Sequence, residues 1–160
     1  MSRISVPDGP GGRPVNLWRL QPHFGRLVEQ MVDTVYHRSL LPAAEREVAR
    51  MRIAQLNACG ACATFRAPSV RAQEVDEEIY LHVDDPVAYA AYSERQRLAI
   101  TYAERFVLDH EAIDDAFFER LRARFSDEEV LDLTMCIAVY LGLGRALAVL
   151  GIDEPAPIDI

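Results

Sequence analysis

Between Arg46 and Arg66 the chain reads REVARMRIAQLNACGACATFR, with Cys59 and Cys62 three residues apart. The stretch reads as two helices, the cysteine pair opening the second. In the first, Ala43 to Ala58, the residues Ala44, Met51, Ala54 and Ala58 fall near one stripe, with Val48 beside it. Glu47 precedes Met51 by four residues and Ala54 by seven, so it lies on that stripe. An acid on an inward face needs a partner or a task.

The chain has 160 residues, enough for one domain with a sizeable core. Its net charge of -8 argues against nucleic acid or an anionic membrane as partner. All 17 basic residues are arginine, which removes lysine Schiff bases, lysine-held pyridoxal phosphate and P-loop lysines. The start, MSRISVPDGPGG, has no apolar core of a secretory signal, and the longest apolar run, near Thr134 to Leu143, is shorter than a membrane span. The expected compartment is the reducing cytoplasm. There a Cys-x-x-Cys pair is more often catalytic, redox-active or metal-binding than a structural staple.

In chain order, residues 1–15 carry three prolines and three glycines and read as a flexible arm; residues 16–152 form one all-helical domain; residues 153–160 read as a loose tail. Phe24, Leu27, Val28, Met31, Val32 and Val35 recur at helical spacing, which predicts a first core helix ending near His37. Pro42 suits the first turn of the next helix, and Pro68 ends or bends the one that Cys59 opens. Glu74 to Leu81 reads as a short helix. Ser93-x-x-Gln96 and Ser126-x-x-Glu129 are capping boxes ahead of amphipathic runs. Asp114 caps a helix between them, with Phe117, Phe118, Leu121 and Phe125 inward. The last helix reaches about Leu150; its Gly142 and Gly144 weaken it and point to close helix contact or a subunit interface. No strand pattern emerges, so the class is all-α.

The segment Pro42 to Arg66 resembles the carboxymuconolactone decarboxylase / AhpD-like superfamily. The residues that carry the likeness are Arg46-Glu47-Val48, then Leu56-Asn57-Ala58-Cys59-Gly60-Ala61-Cys62. The helix starts at Ser93 and at Phe125-Ser126-Asp127-Glu128-Glu129 are similar to the family's later helices, so the resemblance spans roughly residues 27–148. It implies a bundle of six to eight helices without a sheet, assembled as a homotrimer or homohexamer. It implies a thiol-dependent peroxidase, an oxidoreductase acting on peroxide. Cys62 would attack, Cys59 would resolve, Glu47 would assist proton transfer, and a dithiol electron-donor protein would reduce the resulting disulfide. Two histidines of the family pattern are replaced here by Arg66 and Ala61, and the residue before Arg145 is Gly144 rather than an asparagine.

The residues themselves allow this chemistry. A thiolate is the nucleophile, and a helix N-terminus favours it at Cys59. Arg66 follows Cys62 by four residues and Cys59 by seven, so its fixed cation is expected to stabilise a thiolate without cycling protons. The dipole favours Cys59 as the attacking thiol; the resemblance favours Cys62, and we follow the resemblance. Glu47 is equally readable as a structural acid paired with Arg50, Arg66 or Arg145. Cys136, in an apolar stretch, reads as a buried small hydrophobe. The histidines His23, His37, His82 and His110 are scattered, and His37 is the one placed for a substitute relay. No metal or other cofactor is expected. The alternatives are a decarboxylase-type enzyme, for which two thiols are unnecessary, and a non-catalytic redox-sensing oligomer.

Overall fold

The computed structural model describes residues 2–154. Among them are eight α-helices and three short 3₁₀ turns, and no strand. The helices are α1 (Gly12–Asn16), α2 (Pro22–His37), α3 (Ala43–Leu56), α4 (Gly60–Thr64), α5 (Pro68–Arg71), α6 (Glu94–Leu108), α7 (Asp115–Arg122) and α8 (Asp127–Leu150).

Helix α3 is the centre of the packing, laid against α6 and α8. Val48, Ala49, Ile53 and Ala54 are buried on it, as are the charged Glu45, Arg46, Glu47 and Arg50. From α6 come Leu98, Ala99, Ile100, Tyr102 and Ala103; from α8, Val130, Leu133 and Ile137; from α7 and its end, Phe117, Leu121 and Phe125. Each large aliphatic side chain so buried stabilises the fold by roughly 1.5–3 kcal/mol. A charge among them must be paired. Arg95, at the start of α6, bonds Glu45 of α3 at 2.7 Å and Glu129 of α8 at 2.7 Å, and its guanidinium lies over the Phe125 ring. One fork therefore ties the three main helices together.

Both capping boxes form, at Ser93 with Gln96 and at Ser126 with Glu129, and the Asp114 side chain caps α7. Other expectations shift. Pro42 is the residue before α3 rather than within its first turn. Helix α3 stops at Leu56 because Ala58 takes a left-handed conformation, φ 50°. Pro68 opens α5; α4 has already ended at Thr64. The Glu74 to Leu81 segment is a single 3₁₀ turn, Glu77–Tyr80, capped by Asp76. Phe118 lies on the outer side of α7 rather than inward.

The largest departure is α2. Phe24, Leu27 and Met31 are 64%, 55% and 42% exposed, and only Val35 and Tyr36 are buried. Their stripe runs past the edge of the core, because α2 meets α8 and α5 only near its C-terminal end. Within residues 1–15, read as an arm, Arg3 is tied to the chain's own last helix: its backbone N–H donates to the Leu150 carbonyl at 2.9 Å and its guanidinium to the Val149 carbonyl at 2.9 Å. The tail from 153 is described only to Glu154; residues 155–160 lie outside the described residues. Helix α8, longer than the apolar run inside it, is long and apolar enough to cross a membrane by length and composition. It also lines the core against α3, α6 and α7.

Candidate functional site

The turn from Leu56 to Gly60 brings the cysteines to the N-terminus of α4. Cys59 is its N-cap, and Cys59 and Cys62 form a disulfide with Cα atoms 5.3 Å apart. The Cys62 backbone N–H donates to Cys59 Sγ at 3.2 Å. The free amides of Gly60 and Ala61 donate to one oxygen of Asp153, at 2.5 and 3.3 Å. The tail thus holds the start of α4. A Cβ on Gly60 would come within 2.7 Å of that carboxylate, so a larger residue there would push the Asp153 side chain aside.

Asn57 joins this turn to α8. Its Oδ1 accepts from Arg145 Nε at 2.6 Å, and its Nδ2 donates to the Leu141 carbonyl at 3.2 Å. Gly144 makes the approach possible: a Cβ there would lie 2.9 Å from Asn57 Nδ2 and 3.4 Å from Cys62 Sγ. Gly142, two residues earlier, has nothing within 4 Å of an added Cβ.

Behind the disulfide sits a buried ion pair. Glu47 is 0% exposed and accepts from Arg50 Nε at 2.8 Å and from the Tyr80 hydroxyl at 3.1 Å, all on Oε2. Arg50 then donates to the carbonyls of Cys62 at 2.5 Å and Phe65 at 3.1 Å. These lie at the C-terminal end of α4, where helical carbonyls lack partners. Burial opposes the Arg50 charge, but the neighbouring Glu47 carboxylate more than offsets it and raises the pKa above the ordinary guanidinium value. Burial and the Glu47 charge together push the Tyr80 phenol up, so it stays a donor. Glu47 Oε1 is buried with no hydrogen-bond partner among the described residues.

Of the four residues singled out by sequence, Cys59 and Cys62 are bonded to each other, and Glu47 reaches the Cys62 backbone through Arg50. Of the three arginines readable as its partner, Arg50 is the one it meets; Arg145 goes to Asn57. Arg66 points elsewhere than at a thiol. It pairs with Glu77 at 3.0 Å, donates to the Ala63 and Phe65 carbonyls, and lies 3.7 Å from the centre of the Tyr80 ring. Four residues along a short helix that ends at Thr64 do not keep a helical face, so the spacing argument fails there. His37 pairs with Asp33 at 3.0 Å on the outside of α2. Cys136 is buried near Asp132, and burial with that carboxylate pushes its thiol up to about 12.

An apolar cavity of about 130 Å³ opens beside Cys62. Its walls include Val32 and Tyr36 of α2, Arg50 of α3, Phe65, and Val139, Tyr140 and Leu143 of α8. Pro14 of α1 closes one side. Tyr36 packs edge-on to Phe65, with ring centres 5.8 Å apart. Tyr36, Tyr80, Tyr140, Asn57 and Asp153 were not singled out by the sequence. The Asn57 motif was visible as part of the resemblance; the others come from four separate segments, and nothing local marks them.

An all-helical fold around a Cys-x-x-Cys turn, with an acid buried behind it, defines an AhpD-like helical protein. The carboxymuconolactone decarboxylase family model matches residues 22–105, and the chain belongs to that family. It is similar to the uncharacterized protein YnjA of Escherichia coli, 29% identical over 127 residues that cover 79% of this chain and 70% of that one. A structure of a protein of unknown function from Agrobacterium tumefaciens, proposed there as the antioxidant defence protein AhpD, superposes with a TM-score of 0.78 at 20% identity, covering 97% of this chain and 99% of the other. An uncharacterized peroxidase-related protein from Ralstonia eutropha, described as an alkylhydroperoxidase AhpD core, gives a TM-score of 0.78 at 21% identity, covering 96% and 92%. At these identities the likeness is one of fold.

Proposed function

We propose that this protein is a thiol-dependent peroxidase that reduces organic hydroperoxides through Cys62 and Cys59. The observation that carries the reading is the position of Cys62. It lines an apolar cavity, while Cys59 is buried behind it and already bonded to it. A nucleophile needs access and a resolving thiol needs proximity, and the two cysteines divide these properties in that way. The cavity volume, about 130 Å³, is roughly that of one that admits a benzene-sized molecule, which favours an apolar hydroperoxide over hydrogen peroxide.

In the reaction, the Cys62 thiolate attacks the outer peroxide oxygen. The S–O bond forms as the O–O bond breaks, and the alkoxide leaves and gains a proton as the alcohol. The Cys59 thiol then condenses with the sulfenic acid, releasing water and forming the disulfide. A dithiol donor protein reduces that disulfide by exchange, becoming oxidised itself. Glu47, with one oxygen unpartnered, takes part in proton transfer. Arg50 is the cation joined to the Cys62 backbone, and Arg66 acts through Tyr80, on which it stacks. The exposed α2 stripe supports a homotrimer or homohexamer, and a disulfide recycled by a dithiol donor fits a reducing cytoplasm.

The test is to add one equivalent of tert-butyl hydroperoxide to reduced protein and count thiols over time, with mass analysis of the Cys59–Cys62 peptide. Rapid loss of two thiols, abolished in Cys62→Ser, is expected. Thiols that survive for hours would end the peroxidase reading.

A further inference from the structure

Nothing in the peroxide chemistry calls for a carboxylate at Asp153, yet one lies against the cysteine turn. It comes from beyond the end of α8, 93 residues after Gly60, and its Oδ1 accepts from the Gly60 and Ala61 amides. Ile152, 1% exposed, anchors the segment that carries it, and Glu154 on its other side pairs with Arg13 at 3.2 Å. A Cβ on Gly60 would lie 2.7 Å from Oδ1 and 3.1 Å from Oδ2. Gly60 directly follows Cys59, so the charge stands beside the residue that carries the inner sulfur.

The other charges around the turn are engaged. Glu47 pairs with Arg50, and Arg66 with Glu77. Arg145, on α8, is the opposing cation and goes to the neutral Asn57 side chain. Tyr36 and Tyr140 on the cavity wall are held protonated, chiefly by burial. Asp153 accepts from the two amides and, among the described residues, has no cation paired with it.

We propose that Asp153 sets the redox poise of the Cys59–Cys62 pair, making the disulfide slower to reduce and the dithiol a stronger reductant. Two effects act in one direction. The carboxylate repels a thiolate that forms beside it. It also holds two amides that would otherwise be free to donate to that thiolate. In reduction a donor thiolate attacks Cys62, the sulfur on the cavity, because Cys59 is only 2% exposed. A new S–S bond forms to Cys62 as the Cys59–Cys62 bond breaks, and Cys59 leaves as a thiolate. The donor's second thiol then displaces Cys62, so the donor dithiol is oxidised and the pair takes up its two electrons and two protons. A thiol that ionises less readily leaves more slowly, and Asp153 stands beside the one that leaves. Any oxidant that closes the disulfide leaves the same pair to be reduced, so this role stands apart from the peroxidase reading.

The experiment compares the full-length wild type with Asp153→Asn, which keeps an oxygen for the amides but not the charge, and Asp153→Ala, which keeps neither. Reduction by dithiothreitol is followed at about pH 9, above the ordinary thiol pKa, by alkylation and mass analysis of the Cys59–Cys62 peptide. The equilibrium is read in dithiothreitol redox buffers at the same pH. Asp153 is exposed, so its effect is moderate. Asp153→Asn is expected to be reduced about threefold to tenfold faster, with its equilibrium shifted toward the dithiol by the same factor, a potential higher by about 15–30 mV. Asp153→Ala should shift at least as far, and the shift of both should shrink in about 1 M sodium chloride, which screens an exposed charge. Asp153→Asn matching wild type while only Asp153→Ala differs would make the side chain a cap of α4 and overturn the proposal. A shift toward the disulfide, or one that salt leaves unchanged, overturns it as well.

Discussion

Helices α2 and α3 invert what their sequences suggest. On α2 the apolar residues form a clean stripe at helical spacing, yet Phe24, Leu27 and Met31 on that stripe face outward. On α3 charged residues interrupt all but the last turn, yet Glu45, Arg46, Glu47 and Arg50 are all buried. A stripe says which face a helix would bury and nothing about whether a neighbour is there to cover it. Glu45, Glu47 and Arg50 are tolerated because partners converge on them, from α4, α6 and the turn at Tyr80, whereas Arg46 lies against the Tyr36 ring with Nε and Nη2 unpartnered among the described residues.

The sharpest way to break the comparison is at Arg50. Arg50→Met leaves Glu47 buried without its cation and frees the carbonyls at the end of α4. The expected loss is about 3–5 kcal/mol, read as a lower urea midpoint. A variant as stable as wild type would mean the ion pair is not what allows α3 to be central.

Gly144 and Gly142 give a matched pair on α8. Gly144→Val drives a side chain into Asn57 and Cys62 and is expected to cost about 1–3 kcal/mol, with a changed rate of disulfide reduction by dithiothreitol. Gly142→Ala meets nothing in this chain and is expected to gain about 1 kcal/mol from helix propensity. If it instead dissociates an oligomer, Gly142 belongs to a subunit contact.

The smallest effect on the chain itself is expected at α2. Phe24→Ser or Leu27→Ser should alter the stability of the isolated subunit by less than about 0.5 kcal/mol. The same changes should shift the sedimentation of an assembly toward single subunits. Unfolding of the subunit, with no change of assembly, would show that α2 is held in a way its exposure conceals.

The legible parts were those written in short segments. The capping boxes at Ser93 and Ser126 depend on residues three apart, so their helix starts could be read directly. The Leu56 to Cys62 motif carried the family, and the Cys59–Cys62 pair carried the candidate chemistry. Arg66 was misread because its place was inferred from a helix that ends two residues before it, at Thr64. There the chain turns, and the guanidinium follows Glu77 and Tyr80 instead.

By itself, then, the sequence determined the all-helical class, the helix starts and the cysteine turn, because each depends on contacts within one or two helical turns. The tertiary structure alone decided that Arg50 is the partner of Glu47, that Asp153 holds the start of α4, and that Tyr36 and Tyr140 share a cavity with Cys62. Asp153 and the Gly60 amide it holds are 93 residues apart along the chain. Such groups meet only because α3, α6 and α8 bury their apolar faces on one another, and no local pattern encodes where three separate helices will cross.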